Sequence, residues 1–194
     1  MMNSSLNEAR LWFGMWLRNP RHIASLAPSS AALAQLMAKR VPLSLDQPVI
    51  ELGAGTGAVT RALLYAGVAP ANLVVVERDA QLASLLRTRF PGTHVIQGDA
   101  VQLQRLLHDR GITSIACVVS SLPLLTLPMR AQIAILRASF TLLDEGGELI
   151  QYTYSPFSPI APRILKRMAL SGQRIGHIWR NVPPATVWAF RERS

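Results

Sequence analysis

The stretch from Val49 to Gly57 combines one carboxylate with three glycines at alternate positions, a spacing that suits the binding of a small charged ligand. The apolar pair before Glu51 predicts a strand, and the segment 58–66 after the glycines predicts a helix. Glycine has no Cβ and tolerates positive φ, so such a turn lets a ligand approach the backbone closely. The helix start offers unpaired N–H groups to an anionic group, and the acid suits a cationic amine. We therefore expect a ligand with charges of both signs, such as an amino acid moiety.

Two further carboxylates end the next two predicted strands. Glu77 closes a β-branched run about 20 residues after the turn, where α/β folds place the carboxylate that holds ribose hydroxyls. Asp99 follows a third strand. The glycines read G-x-G-x-G and lack the final spacing of the dinucleotide fingerprint. The three motifs lie in order at the ends of three successive strands.

The elements that must position these residues alternate along the chain. From Pro48 onwards strands and helices follow each other, which is typical of a parallel sheet with helices on both faces. A pair of strands near the C-terminus, 174–179 and 186–191, predicts an antiparallel hairpin. The remaining predicted strands are 48–53, 72–77, 93–97, 115–120 and 147–154, and the predicted helices of this region are 58–66, 80–89, 100–109 and 128–143.

Composition bounds the class of protein. The 194 residues, 49% of them hydrophobic, predict one globular domain with a substantial core. We find no apolar run of the roughly 18–20 residues that a membrane span needs and no signal-peptide layout, so we expect a cytoplasmic protein. The single cysteine, Cys117, stands inside an apolar run and is interpreted as a buried strand residue.

The net charge of +9 is concentrated at both ends of the chain. Residues 1–40 carry five bases against one acid, and residues 161–194 carry seven bases against one acid. Residues 41–160 are nearly neutral, with eight bases against nine acids. Basic surfaces favour an anionic partner, which would be a nucleic acid or an anionic membrane.

The N-terminal segment predicts two helices ahead of the sheet. The first, 6–17, carries two tryptophans, a phenylalanine and flanking arginines, a composition typical of a helix lying in a membrane interface. The alternative is a helix that packs on the domain's own core or on a second protomer. A loop follows, and the second helix, 31–40, is expected to start at a serine N-cap.

The motif E-L-G-A-G-T-G, with the later acids, resembles the class I S-adenosylmethionine-dependent methyltransferases. The resemblance implies an α/β, Rossmann-like seven-stranded sheet, here with an N-terminal amphipathic helical extension, and S-adenosylmethionine as cofactor. It implies cofactor binding by a set of residues at the strand ends: Glu51, Gly53, Ala54, Gly55, Thr56, Gly57, Glu77, Arg78, Asp99, Ala100 and Ser120.

The segment Ser121-Leu122-Pro123-Leu124 occupies the place of the acceptor motif in amine-methylating members of this superfamily. Adenine methyltransferases have Asn or Asp at the first position and at the fourth an aromatic residue that stacks on the flipped base. Here Ser121 and Leu124 stand in those places. A leucine offers a base no π-face, so this departure favours an apolar, acyl-bearing acceptor. The alternative is that these leucines only pack under the next helix.

Over nearly its whole length the chain is similar to the bacterial phospholipid N-methyltransferases, which resemble the rRNA adenine dimethyltransferases. The motifs that carry this likeness are Arg18-Asn19-Pro20-Arg21-His22 with Pro28-Ser29-Ser30, 51–57, 121–124, Gln151-Tyr152-Thr153-Tyr154 and 181–185. The resemblance implies up to three methyl transfers to the amine of phosphatidylethanolamine, giving phosphatidylcholine. It also implies an N-terminal membrane-binding lid, 1–45, ahead of a catalytic domain, 46–194, that is peripherally bound to the inner face of the cytoplasmic membrane.

In this interpretation Ser121 and Tyr152 are the candidate catalytic residues. The lipid headgroup and phosphate are expected at Arg18, Arg21, His22, Ser29, Leu122 and Pro123. We expect no metal and no nucleic acid, while an anionic membrane and an aminophospholipid are the expected partners; the oligomeric state is open. The alternatives are an rRNA adenine methyltransferase, a methyltransferase of another aminolipid such as an ornithine lipid, and a membrane-bound regulator with a vestigial cofactor fold.

Overall fold

The structure is a computed structural model that describes residues 28–43, 47–179, 181 and 183–193. The predicted interfacial helix 6–17 and three of the predicted headgroup residues, Arg18, Arg21 and His22, lie outside these ranges. Ser29 falls inside them, in the first turn of the first described helix.

Strands and helices alternate through the described chain. The helices are α1 (Pro28–Ala38), α2 (Ala58–Tyr65), α3 (Ala80–Arg89), α4 (Leu103–His108), α5 (Met129–Leu142) and α6 (Pro162–Arg167). The strands are β1 (Val49–Leu52), β2 (Leu73–Glu77), β3 (His94–Gln97), β4 (Ile115–Ser120), β5 (Leu143–Thr153), β6 (Leu170–Ile178) and β7 (Ala185–Glu192). Short 3-10 turns cover Pro70–Asn72, Ala100–Gln102 and Leu124–Thr126.

The seven strands form one sheet in the order β3-β2-β1-β4-β5-β7-β6. The first five strands run parallel, and β7 lies antiparallel between β5 and β6. The predicted seven-stranded α/β sheet with a terminal antiparallel hairpin is therefore confirmed. Since β1 to β5 are parallel, their carboxyl ends all lie at one edge, and that is the edge at which ligands bind in sheets of this kind.

The sheet is buried on both faces because its central strands are apolar except for Glu51, Glu77 and Ser120. Every residue of β1, β2 and β4 is buried, including Cys117, as the sequence predicts. Helices α1, α2 and α3 contribute to the core cluster on one face. Helices α4, α5 and α6 contribute to the cluster on the other. Among the described helices, none has both the length and the hydropathy that crossing a membrane requires.

Helix α1 packs into the core of the sheet. Leu33, Ala34 and Met37 are buried in the same cluster as β1 and α2. Just beyond the helix, the guanidinium of Arg40 donates two hydrogen bonds of 2.7 Å to the carboxylate of Glu148 on β5. Residues 28–41 therefore share the core of the catalytic sheet, whereas the predicted boundary at residues 45 and 46 stays a prediction.

Several element bounds differ from those predicted. Helix α1 begins at Pro28, so the serines expected to cap it lie within its first turn; the fixed φ of proline suits that position. The predicted helix 100–109 is a 3-10 turn followed by α4. Strand β6 begins at Leu170, four residues earlier than predicted. A Cβ at Gly172 would lie 2.6 Å from the Phe190 ring, so this glycine makes room for the cross-strand aromatic and interrupts the alternation that marks a strand.

We predict that Met37→Ala lowers the free energy of unfolding by about 2 to 5 kcal/mol, because it empties a fully buried position. Urea unfolding should shift as one transition with an unchanged slope if α1 belongs to the same cooperative unit as the sheet. The exposed neighbour Gln35→Ala is the control, with an expected change within about 0.5 kcal/mol. A separate low-stability transition for α1, with the main one unmoved, would instead support an independent N-terminal unit.

Candidate active site

In the turn between β1 and α2, three glycines have backbone conformations in the left-handed region. Gly53, Gly55 and Gly57 have φ of 72°, 56° and 84°. A Cβ at Gly57 would lie 2.3 Å from the ring of Phe90. Any other residue here would therefore clash with this ring and would also strain the backbone, because its φ is positive. The predicted glycine-rich turn is thus present, at the carboxyl end of β1.

The carboxylate of Glu77 ties this turn to the next strand. The N–H of Gly55 donates to Oε2 at 2.9 Å, and the N–H of Asp79 donates to Oε1 at 2.9 Å. Asp79 in turn caps α3 by accepting from the N–H groups of residues 81 and 82. Glu77 therefore holds the ends of β1 and β2 together, beside its predicted role in binding ribose hydroxyls.

The third predicted carboxylate lies after β3. Asp99 accepts a hydrogen bond of 3.0 Å from the N–H of Val101 and opens the following 3-10 turn. Ala100 beside it is buried, and Arg78 after β2 is exposed. Asp99 thus follows β3 as Glu77 ends β2, at the carboxyl edge of the sheet where the glycine turn lies.

Glu51 is a wholly buried carboxyl group with one satisfied oxygen. Its Oε2 accepts from the hydroxyl of Thr60 on α2 at 2.6 Å, whereas Oε1 has no hydrogen-bond partner in the described part of the chain. Burial raises the pKa of Glu51 to about 7, against the opposing effect of the Thr60 hydrogen bond. An orphaned buried oxygen next to a glycine turn fits the expected ligand, because an ammonium group would satisfy it and favour the charged carboxylate.

The predicted acceptor loop lies directly against the glycine turn. The N–H of Ser121 donates to the carbonyl of Leu52 at 2.9 Å. A Cβ at Gly53 would lie 2.7 Å from Cδ2 of Leu122, so the leucine side chain covers the first glycine of the turn. The N–H of Leu122 also donates to the Ser120 hydroxyl at 3.3 Å. The structure thus brings the residues predicted for the cofactor and those predicted for the acceptor into contact.

One residue that sequence reasoning left without a role, Gln151, fixes the position of this loop. It is wholly buried on β5, opposite Ser120 of β4. Its Nε2 donates to the carbonyl oxygens of Leu122, at 2.9 Å, and Tyr152, at 2.7 Å. Its Oε1 is buried without a partner among the described residues. A glutamine directly after the apolar pair Leu149-Ile150 of a predicted strand was the available signal, since a buried amide requires partners.

The leucines of the acceptor loop fall into two groups. Leu124 is 2% exposed and belongs to the core cluster beneath α5, so the packing interpretation is right for this residue. Leu122, Leu125 and Leu127 are only partly buried. The position that carries an aromatic ring in adenine methyltransferases is therefore occupied by a core side chain.

Tyr152 and Tyr154 form an edge-to-face pair on the α1 side of the sheet. Their ring centroids are 5.4 Å apart, and both pack against the core cluster that contains α1. Burial, first of all, raises the pKa of Tyr152 well above its ordinary value and also raises the pKa of Tyr154. Both phenols stay protonated at neutral pH, so Tyr152, which was predicted as a catalytic residue, is no base.

The Glu51 pKa predicts a pH-dependent stability difference between the wild type and Glu51→Gln. Because the pKa of Glu51 is raised in the folded state, folding favours the protonated carboxyl. This contribution to the free energy of unfolding is complete below about pH 4 and is lost as the pH rises through about 7. The variant lacks this loss, so its free energy of unfolding relative to wild type should increase by about 3 kcal/mol between pH 4 and pH 8. Urea titrations across this range measure it. A difference that does not change with pH would show that Glu51 is not desolvated as described.

Comparison with known proteins identifies the group to which this arrangement belongs. Residues 26–123 match the profile of the family described as ribosomal RNA adenine dimethylase. An ornithine lipid N-methyltransferase of Singulisphaera acidiphila is 32% identical over 186 residues, 93% of this chain and 94% of that protein. A ribosomal RNA small subunit methyltransferase A of Thermosynechococcus vestitus is 39% identical over 99 residues, 50% of this chain and 32% of that protein.

The fold comparison agrees with the sequence comparison. A TehB-like S-adenosylmethionine-dependent methyltransferase from Corynebacterium glutamicum superposes with a TM-score of 0.63 at 15% identity, covering 96% of this chain and 99% of that one. The glycine turn, the braced Glu77 and the orphaned oxygen of Glu51 fit the cofactor of such enzymes. The chain belongs to the ribosomal RNA adenine dimethylase family and is an S-adenosylmethionine-dependent methyltransferase.

Proposed function

We propose that the chain methylates the amine of a membrane aminolipid, with phosphatidylethanolamine and its mono- and dimethylated forms as acceptors on the way to phosphatidylcholine. The observation that carries the proposal is the acceptor loop: Leu122 covers Gly53 of the cofactor turn, and the three loop residues after it, 123–125, have aliphatic side chains. A nucleobase acceptor would be held by stacking on an aromatic ring, whereas Leu124 of this loop is turned into the core.

The near full-length relative supports an aminolipid and adds a second acceptor. Its name assigns it ornithine lipid as substrate, and it matches 93% of this chain, whereas the rRNA enzyme named above matches only half. An ornithine lipid carries a primary amine on an acylated headgroup, so the same aliphatic loop suits it. Ornithine lipid is therefore the second candidate acceptor.

The residues of the site would orient the acceptor rather than activate it. S-adenosylmethionine, when bound, supplies an electrophilic methyl group. The Ser121 hydroxyl is a group that accepts a hydrogen bond from an amine. The neighbouring Leu122 carbonyl accepts from Gln151 and from the N–H of Leu124, so Gln151 holds the loop beside Ser121 in place. Because both tyrosines remain protonated, the ammonium loses its proton to water before transfer. Catalysis then rests on proximity and orientation.

The proposal includes an anionic membrane as the partner of the enzyme and as the place where it works. The basic ends of the chain suit an anionic surface, and the amphipathic segment 6–17 is proposed to bind it and to cover the site as a lid. The enzyme would then work on the inner face of the cytoplasmic membrane, where its aminolipid acceptor lies.

The proposal predicts where methyl groups from labelled S-adenosylmethionine will appear. Purified protein is incubated with vesicles of phosphatidylethanolamine and anionic lipid, with vesicles of ornithine lipid and anionic lipid, and with deproteinised ribosomal RNA. We expect label in the phosphatidylethanolamine extract, and chromatography gives the number of methyl groups. Label only in ornithine lipid would select the second acceptor. Label only in RNA, or in none of the three, would refute lipid methylation.

A second prediction tests the role of Gln151. Replacing it by leucine removes the hydrogen bond that positions the Leu122 carbonyl, so kcat should fall by roughly 10- to 100-fold, the cost of a misplacement of about 1 Å in a site of this kind. The dissociation constant for S-adenosylmethionine should stay within about threefold of wild type, since Gln151 contacts the acceptor loop and not the glycine turn. Steady-state kinetics and calorimetry measure the two quantities.

Gln132→Leu is the matched control for this experiment. Its Nε2 also donates 2.9 Å to a backbone carbonyl, that of Leu127 at the far end of the same loop. Loss of this bond should leave kcat within about threefold of wild type, although both variants lose the net stabilisation of a hydrogen bond, about 0.5–1.5 kcal/mol. Equal kinetic losses in the two variants would mean that Gln151 acts only through stability.

A further inference from the structure

An open groove lies between α5 and α6, on the face of the sheet away from α1. Its volume is about 220 Å³. The apolar part of its lining, called the floor below, is formed by Met129 and Ile133 of α5 with Ile164 and Met168 of the α6 region. Such a space suits the proximal part of an acyl chain or another small apolar group.

The rim of this groove is cationic. Arg137, Arg163 and Arg167 line it, and all three are exposed. None of the three guanidinium groups has a hydrogen bond or an ion pair with another residue that the structure describes. The surrounding sequence contains no acid to neutralise them, because residues 110–143 and 149–191 contain neither Asp nor Glu. Three unpaired guanidinium groups at one groove are suited to a phosphate.

We propose that this groove binds an anionic phospholipid of the bilayer, with the phosphate on the arginines and the first part of an acyl chain on the methionine and isoleucine floor. The inference rests on the proposed aminolipid function and deepens it, since it assigns the folded domain a membrane contact of its own. An RNA would also supply phosphates, but it has no group for an apolar floor, and the lining carries no aromatic ring on which a base would stack.

The position of the groove relates it to the site. Helix α5 follows directly on the acceptor loop, and α6 follows the carboxyl end of β5, so both helices start at the edge of the sheet where Leu122 and the glycine turn lie. Phe157, between β5 and α6, is 67% exposed and lies at the same edge, where an aromatic ring suits the headgroup region. A lipid in the groove would therefore hold the acceptor loop towards the bilayer.

The test measures binding of the full chain to vesicles by flotation, without cofactor and without aminolipid. Vesicles of phosphatidylcholine with phosphatidylglycerol are compared with phosphatidylcholine alone. We expect Arg137→Gln/Arg163→Gln/Arg167→Gln to lose roughly 10- to 100-fold in affinity for the anionic vesicles, since each cation at such a surface contributes about fivefold. The control, Lys39→Gln/Arg87→Gln/Arg191→Gln, removes the same charge from exposed positions elsewhere and should lose less than about fivefold.

A second variant separates groove occupancy from general attraction. Met129→Gln/Ile133→Gln keeps every charge and makes the floor polar, and we expect it to weaken vesicle binding by roughly fivefold or more, in line with the burial of a few methylene groups. Equal losses in the arginine variant and its control, or an unaffected floor variant, would overturn the groove site. An arginine variant that loses affinity for ribosomal RNA and keeps it for vesicles would overturn the lipid assignment.

The two proposals fail separately. Lipid methylation is measured on detergent-dispersed phosphatidylethanolamine, where docking to a bilayer is not needed. A wild type that binds anionic vesicles through the groove yet methylates no lipid refutes the proposed function alone. An arginine variant that binds vesicles as the wild type does, while both methylate dispersed lipid, refutes the groove alone.

Discussion

The contact of Leu122 with Gly53 is the constraint on which the site depends. The side chain of Leu122 covers the first glycine of the cofactor turn, and its carbonyl accepts the buried amide of Gln151. Three segments, from the ends of β1 and β4 and from within β5, therefore meet at one residue. The N–H of Ser121 also donates to the carbonyl of Leu52, so a hydrogen bond and a side-chain contact join the acceptor loop to the turn that is expected to hold the methyl donor.

The same region concentrates buried polar groups that the fold itself satisfies only in part. Glu51 and Gln151 each keep one oxygen without a partner among the described residues. Such groups destabilise a folded chain unless something else bonds to them. A binding site is the place where this cost is offset, since a ligand with amine hydrogens can supply the missing partners. The pKa of Glu51 is raised for the same reason, because burial removes water from its carboxyl group.

Charge is distributed so that the cofactor edge and the outer surface differ in character. The carboxylate Glu51 lies in β1, Glu77 ends β2 and Asp99 follows β3. The described helices beyond β4 carry bases without acids. The α5–α6 groove combines those bases with an apolar floor. The carboxyl ends of β1 to β3 thus suit a cationic, amine-bearing cofactor. The α5–α6 groove suits an anionic amphiphilic surface, and the acceptor loop lies between the two in the chain.

Local pattern was enough to predict the sheet and the cofactor motifs. Strands buried on both faces are apolar runs, and a glycine turn is visible in the spacing of Gly53, Gly55 and Gly57, so the carboxyl edge and its acids could be placed from sequence. The start of β6 was predicted four residues too late, because Gly172 has no side chain and interrupts the alternation of apolar and polar residues that marks a strand.

The amino-acid sequence by itself thus determined the order of the strands along the chain, the edge at which ligands bind and the residues that line the cofactor turn, since each follows from hydrophobic period or from short-range spacing. Only the tertiary structure decided that Gln151 bonds to Leu122, that Leu124 is core, that α1 packs on the sheet and that α5 and α6 enclose a groove. Gln151 and Leu122 are 29 residues apart, and such contacts depend on strand pairing and helix packing, which no local pattern specifies.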